Sequence, residues 1–104
     1  MATESVTTVP VSDIPVGGLK TVDVHGTRIA IANVDGTYYA FDEDCTHEQC
    51  SLVEYGELSG TTVTCVCHGS EFDVRTGSVL APPARLPLKV YPIRVEGDVL
   101  RIEV

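Results

Sequence analysis

The chain of 104 residues has no tryptophan, a single methionine and few cations, with seven lysines and arginines against fifteen aspartates and glutamates. The formal net charge of -8 argues against nucleic acid or an anionic membrane surface as a partner, because both attract basic proteins. A basic protein surface is the expected partner instead. Long apolar runs are also lacking: the longest, such as 29–32, have only about four residues, so no membrane-spanning helix is expected.

The sequence also lacks an Arg-Arg pair and a basic amino-terminal segment, since its first positive residue is Lys20. Neither a secretory nor a twin-arginine signal is therefore expected, and the cytoplasm is the predicted location. In that compartment four cysteines indicate metal ligands before they indicate a set of disulfides.

The composition favours strands over helices. Valine, isoleucine and threonine supply 32 residues, whereas alanine, leucine and methionine supply 14. Nine glycines and six prolines divide the chain into short segments, which predicts about eight to ten strands in one all-β domain covering 1–104, a sandwich or a barrel. The β-rich runs are 6–10, 19–24, 27–34, 37–42, 57–58, 61–64, 71–74, 78–80, 89–95 and 100–104. In the fourth run, Tyr38, Tyr39 and Phe41 are expected to alternate between core and surface.

Two segments interrupt the strand pattern and hold all four cysteines and two of the three histidines. They offer Cys45-x-His47 and, after seventeen intervening residues, Cys65-x-x-His68. Thiolates and imidazoles bind zinc or iron–sulfur clusters, but paired zinc ligands usually have two to four residues between them. Two cysteines and two histidines in this arrangement are expected for a Rieske [2Fe–2S] centre, while a mononuclear zinc site stays open.

From about residue 6 to 104 the sequence resembles the Rieske ferredoxins. The resemblance rests on the two boxes Cys45-Thr46-His47 and 65–69, on the segment 72–77, and on the return strand 87–91. It implies a Rieske-type antiparallel β-sandwich with a cluster-binding subdomain of two loops, at about 44–50 and 65–70, and a proline loop at about 81–84. It also implies one [2Fe–2S] cluster, with Cys45 and Cys65 on the inner iron and His47 and His68 on the outer iron near the surface.

The resemblance assigns further roles around the cluster. Pro82 and Pro83 would shield it, and Ser70 would donate a hydrogen bond to a cluster sulfide. Cys50 and Cys67 occupy the positions of a disulfide in the Rieske proteins of respiratory bc-type complexes, although ferredoxins of dioxygenase systems usually lack this pair. Such a bridge would close a loop of about seventeen residues, with a nominal stabilisation of about 3 kcal/mol. Two buried thiols kept reduced by the cytosol are the alternative.

The function implied by the resemblance is electron transport. A soluble, monomeric carrier would take electrons from a flavoprotein ferredoxin reductase and pass them to the terminal oxygenase of an aromatic-ring-hydroxylating dioxygenase system, through a transient interface near His47 and His68. Carbazole dioxygenase is one candidate system, although no residue specifies a substrate. The chain itself would not be an enzyme, because it lacks the second domain and iron site of an oxygenase.

Two alternatives belong to other classes: a small Rieske subunit of a complex such as nitrite reductase or arsenite oxidase, which the extra cysteine pair favours, and a zinc-binding structural module. Around the two boxes, acidic side chains are expected to form a docking rim for a basic partner, or else to be ordinary solvated charges. The six acids are Asp42, Glu43, Asp44, Glu48, Glu71 and Asp73.

Overall fold

The computed structural model describes residues 6–24, 26–45, 50–67 and 69–103. Within these residues the secondary structure is almost entirely β, as expected from the composition. The elements in chain order are β1 (Val6–Pro10), a 3-10 turn (Val11–Asp13), β2 (Leu19–Val24), β3 (Thr27–Val34), β4 (Thr37–Asp42), β5 (Gly56–Ser59), β6 (Thr62–Cys65), β7 (Glu71–Asp73), β8 (Val79–Ala81), β9 (Val90–Tyr91), β10 (Ile93–Glu96) and β11 (Val99–Glu103).

The strands form three antiparallel sheets. Their orders are β1-β11-β10, β2-β3-β4-β9 and β5-β6-β7-β8. Tight turns join neighbouring strands, as in the β2–β3 hairpin, where Val24 pairs with Thr27. In the described part of the chain no helix is long and apolar enough to cross a membrane.

The central strand β3 is buried on both faces. Ile29 and Ile31 belong to one apolar core, which they share with residues of β1 and β11. Ala30 and Ala32 belong to a second core, formed with the sheet β5–β8 and the loops beside it. The apolar run at 29–32 is therefore a strand covered by a layer on each side, and the small alanines face the cysteine-bearing loops.

The expected alternation of core and surface along β4 is wrong. Tyr38 and Ala40 pack in the first core, whereas Tyr39 and Phe41 pack in the second. Phe41 is fully buried and the two tyrosines are half-buried, so neither face of β4 is fully exposed to solvent. The strand alternates between two cores because both faces of its sheet are covered.

The predicted single run 89–95 is two strands in the structure. β9 pairs with β4 and β10 pairs with β11, so the chain passes from one sheet to another at Pro92. Proline has no N–H to donate to a ladder, and its backbone carbonyl here accepts the N–H of Glu103 at 3.0 Å.

Candidate metal centre

The first cysteine loop lies between β4 and β5. Asp44 pairs with Ser51 in an isolated antiparallel bridge, and the N–H of Cys45 donates to the carbonyl of Cys50 at 3.0 Å. These contacts bring the two ends of the loop together. His47, one of the expected ligands, lies outside the described residues.

The second cysteine loop joins β6 to β7 and is a tight turn. The N–H of Cys65 donates to the carbonyl of Ser70, and the N–H of Gly69 donates to the carbonyl of Cys65, both at 2.7 Å. Gly69 has a φ of 84°, a backbone conformation that favours glycine. His68, the other expected imidazole ligand, also lies outside the described residues.

The two loops are fastened to each other. A disulfide joins Cys50 to Cys67, as the resemblance implied, across a sequence separation of 17 residues. Beside it, the N–H of Val66 donates to the carbonyl of Tyr55 at 2.9 Å. The sulfurs of Cys50, Cys65 and Cys67 all lie within 4.8 Å of one another, so the disulfide is next to an expected cluster ligand.

The other two cysteines remain as thiols in an apolar setting. Cys45 is 3% exposed and Cys65 is fully buried, and both belong to the second core. A buried thiolate is unfavourable without a compensating cation, whereas iron supplies that compensation and prefers soft sulfur ligands. Two buried thiols, on loops tied together by a disulfide, fit the thiolate half of a Rieske [2Fe–2S] centre.

The proline loop is attached to the second cysteine loop through Ser70. The Ser70 side chain is buried, and its Oγ accepts the N–H of Ala84 at 3.0 Å. A hydroxyl that accepts one hydrogen bond still has its own proton to donate, so this contact is compatible with the expected bond to a cluster sulfide. Pro82 is exposed and Pro83 is half-buried, and the peptide bond between them is cis.

Comparison with known proteins identifies the family. The model of the Rieske [2Fe–2S] domain matches residues 4–92. This chain belongs to the Rieske [2Fe–2S] domain family. Membership implies one [2Fe–2S] cluster, which agrees with the pair of buried thiols, and it leaves zinc without support.

Curated relatives of this Rieske protein are ferredoxin components of dioxygenases. It is 48% identical to the biphenyl dioxygenase ferredoxin subunit of Pseudomonas sp. (strain KKS102) over 91 residues, which cover 86% of this chain and 84% of that protein. It is 40% identical to the ferredoxin component of the p-cumate 2,3-dioxygenase system of Pseudomonas putida over 79 residues, covering 76% and 67%. Proteins of this kind carry electrons for an oxygenase and are not themselves the catalytic component.

Comparison with solved structures also finds similarity to dioxygenase ferredoxins. The fold of the Rieske protein matches the ferredoxin of carbazole 1,9a-dioxygenase from Nocardioides aromaticivorans IC177 with a TM-score of 0.86 and 26% identity, covering 91% and 92% of the two chains. A second match, with a TM-score of 0.90 and 30% identity, is to a chain in a complex of reduced oxygenase and oxidised ferredoxin of carbazole 1,9a-dioxygenase, covering 97% and 94%. The antiparallel Rieske sandwich predicted from the sequence is thereby confirmed.

The expected acidic rim around the cysteine loops is wrong for two of its members. Glu43 is fully buried, and Asp73 is also buried and is held by Arg75 at 2.8 Å. Hydrogen bonds from the Arg75 side chain hold the pKa of Asp73 below its usual value. Of the other four acids, Asp42, Asp44 and Glu71 are half-buried, and Glu48 lies outside the described residues. Asp42 accepts a hydrogen bond from the Tyr91 hydroxyl.

Sequence reasoning missed the contact between Arg28 and Glu43. Arg28 Nη2 lies 2.6 Å from the Glu43 carboxylate, to which Ser51 also donates a hydrogen bond. The hairpin register contained the signal, since Ile29 pairs with Asp42 and one further step places Arg28 opposite Glu43. The burial of Glu43 could not be inferred in the same way, because it depends on tertiary contacts such as the one with Ser51.

Proposed function

We propose that this chain carries single electrons from a flavoprotein ferredoxin reductase to the terminal oxygenase of an aromatic-ring-hydroxylating dioxygenase system. The observation that supports this most is the pair of buried thiols on two disulfide-linked loops, in a fold shared with dioxygenase ferredoxins. When bound, the cluster takes up one electron and gives it back.

The chain's own residues would hold that cluster and limit its rearrangement. Cys45 and Cys65 would bind the iron in the interior, where apolar neighbours exclude water. His47 and His68 would bind the iron nearer the surface. The ends of the two loops are held by backbone hydrogen bonds and joined by a disulfide, and these contacts would limit movement of the ligands when the oxidation state changes.

The partners, the oligomeric state and the location belong to the proposal as well. The chain would act as a single domain of 1–104, as a monomer in the cytoplasm, through transient contacts near His47 and His68. Aromatic substrates are proposed because relatives are named for biphenyl and p-cumate dioxygenases. Carbazole is a candidate through the structural match alone.

Reconstitution tests the proposed function. Purified protein should be brown and, when reduced, give the EPR signal of a Rieske centre. With a flavoprotein reductase, NADH and an aromatic-ring dioxygenase, it should support hydroxylated product. A protein with this EPR signal that supports no product, and that co-purifies as a fixed subunit of another redox complex, would contradict the carrier role.

Replacement of one histidine tests the ligand assignment. His68→Cys should keep a cluster and lower its reduction potential, because an anionic thiolate would replace a neutral imidazole. His25→Ala, which changes the histidine outside both boxes, is the control and should leave the potential unchanged. A His68→Cys protein with the potential of the starting protein would rule out His68 as a ligand.

A further inference from the structure

Glu43 lies at the base of the first cysteine loop and is fully buried. Its Oε2 is 2.6 Å from Arg28 Nη2 on β3 and accepts the Ser51 hydroxyl at 2.5 Å from the far side of the loop. Its backbone N–H donates to the carbonyl of Arg28 at 3.1 Å, and its carbonyl accepts the N–H of Leu52 at 2.8 Å. One residue thus connects the sheet with both ends of the loop.

Ser51 extends this hydrogen-bond network to the residues that follow the loop. Its Oγ accepts the backbone N–H groups of Val53 at 3.2 Å and Glu54 at 3.1 Å while its proton goes to Glu43. The residues that leave the loop are therefore ordered around the hydroxyl that Glu43 holds. We call Arg28, Glu43 and Ser51 the loop clamp.

The loop clamp is the first of three contacts that together connect the sheet with the proposed cluster site. Next comes the backbone bond from Cys45 to Cys50, and then the disulfide from Cys50 to Cys67. Glu43 is only two residues from Cys45, so a shift of its backbone moves an expected ligand directly.

Stability alone is a weak reason for such an arrangement. A buried ion pair adds little compared with apolar side chains of the same volume, because two charges must leave water. In the described part of the chain, Glu43 Oε1 has no hydrogen-bond partner, which adds to that cost. The ion pair and the Ser51 hydrogen bond are directional contacts, and together they hold the loop in one position relative to β3.

We propose that Glu43 is a positioning residue, which fixes the first ligand loop through Arg28 and Ser51 and so sets the geometry and potential of the cluster. This inference rests on the proposed cluster binding by Cys45, and it goes further by assigning control of the site to a residue that is not a ligand. Loss of the Glu43 carboxylate would also leave the Arg28 guanidinium without its partner, and an uncompensated cation near the loop should favour the uptake of an electron.

The test compares Glu43→Gln and Ser51→Ala with Glu57→Gln, in which an exposed acid on β5 loses the same charge. The holoproteins are compared by EPR g values, midpoint potential and the rate of iron release to a chelator. Glu43→Gln should shift the g values, raise the potential and release iron about tenfold faster, as is typical when residues supporting metal ligands are lost. Ser51→Ala should shift the g values and also speed release, and Glu57→Gln should change none of the three.

A merely structural role would lower the unfolding temperature and leave the g values and potential unchanged, and that result would overturn the proposal. If Glu43→Gln does not fold, Ser51→Ala decides, because it removes one hydroxyl and keeps the ion pair. The two proposals fail differently: a parent protein without a Rieske EPR signal contradicts cluster binding, whereas a normal parent with unchanged variants contradicts only the loop clamp.

Discussion

At the scale of single residues, Tyr91 connects two strands through a charged partner. Its hydroxyl donates to Asp42 Oδ1 at 2.5 Å, and the ammonium of Lys89 lies 5.1 Å from its ring centroid. Burial, together with the bond to Asp42, raises the pKa of Tyr91 to about 12. The folded state therefore keeps a proton that an unfolded tyrosine loses near pH 10.

This difference predicts how stability changes at high pH. The contribution of the protonated Tyr91 is complete below about pH 10 and is lost as the pH rises toward 12, because only the folded state then still binds the proton. Tyr91→Phe should cost about 2 kcal/mol at pH 7, typical of a hydrogen bond to a charged group, and should lose less additional stability between pH 9.5 and 11.5.

Denaturant unfolding at a series of pH values measures both effects. Tyr55→Phe is the matched control, because Tyr55 is 57% exposed and its loss should leave the stability at pH 7 nearly unchanged. Equal slopes above pH 9.5 for the parent protein and Tyr91→Phe would contradict the assigned role of the buried hydroxyl.

At the scale of elements, the turn between β7 and β8 is shaped by contact with a distant segment. Gly77 has a φ of 81°, and a Cβ at this position would overlap the backbone carbonyl of Leu88. The N–H of Leu88 donates to the carbonyl of Gly77 at 2.8 Å. In the β3–β4 turn Gly36 has a similar φ of 88°, but a Cβ there would meet open space.

Alanine at these two positions separates backbone strain from steric overlap. Gly36→Ala should cost about 1 kcal/mol, the penalty of the left-handed conformation for a residue with a Cβ. Gly77→Ala should cost a further 1–3 kcal/mol or so, because the strand connection that carries Leu88 must move. Equal losses in denaturant unfolding would show that the approach of Leu88 to Gly77 is unimportant.

The disulfide is a second determinant at this scale, because it joins the two cysteine loops. Replacing both Cys50 and Cys67 by serine should lower the free energy of unfolding by about 3 kcal/mol, as loop-closure entropy predicts. Unfolding of the parent and the double variant by denaturant measures the difference. Thiol titration of the denatured, iron-free parent should show two thiols before reduction and four after it, and an unchanged number would contradict the bridge.

At the scale of the whole molecule, the net charge of -8 favours encounter with a basic partner. The buried Glu43 does not supply this attraction directly, so exposed acids close to the loops matter more. Glu54 is such a residue, because it is exposed and adjoins Tyr55, which hydrogen-bonds to the second loop.

Electron transfer should therefore depend on salt. The second-order rate of reduction by the flavoprotein reductase should fall as ionic strength rises from 0.01 to 0.5 M, because screening shortens the range of the attraction. Glu54→Gln should slow the reaction at low salt and flatten this dependence. Asp98→Asn, in the β10–β11 turn, is the control of equal charge and should match the parent. A rate that is independent of salt would contradict electrostatic guidance.

The sequence by itself determined the features that arise from short-range patterns. The first four strands occupy their predicted positions, since turn residues and β-branched runs act over a few residues. The spacing of Cys45, His47, Cys65 and His68 likewise predicted a Rieske centre, because two short loops can present four ligands only at restricted intervals. The family comparison confirmed the cluster.

Only the tertiary structure decided which surfaces were covered and by what. A period of two residues in β4 shows that its faces differ, but it does not show that both are buried. Tertiary contacts also decided whether the acidic side chains are exposed to solvent. Glu43 and Asp73 have internal partners, although their sequence context suggested exposure. The physical reason is that burial depends on layers contributed by distant parts of the chain, as Glu43 shows by contacting Arg28 on β3 and Ser51 beyond the first cysteines.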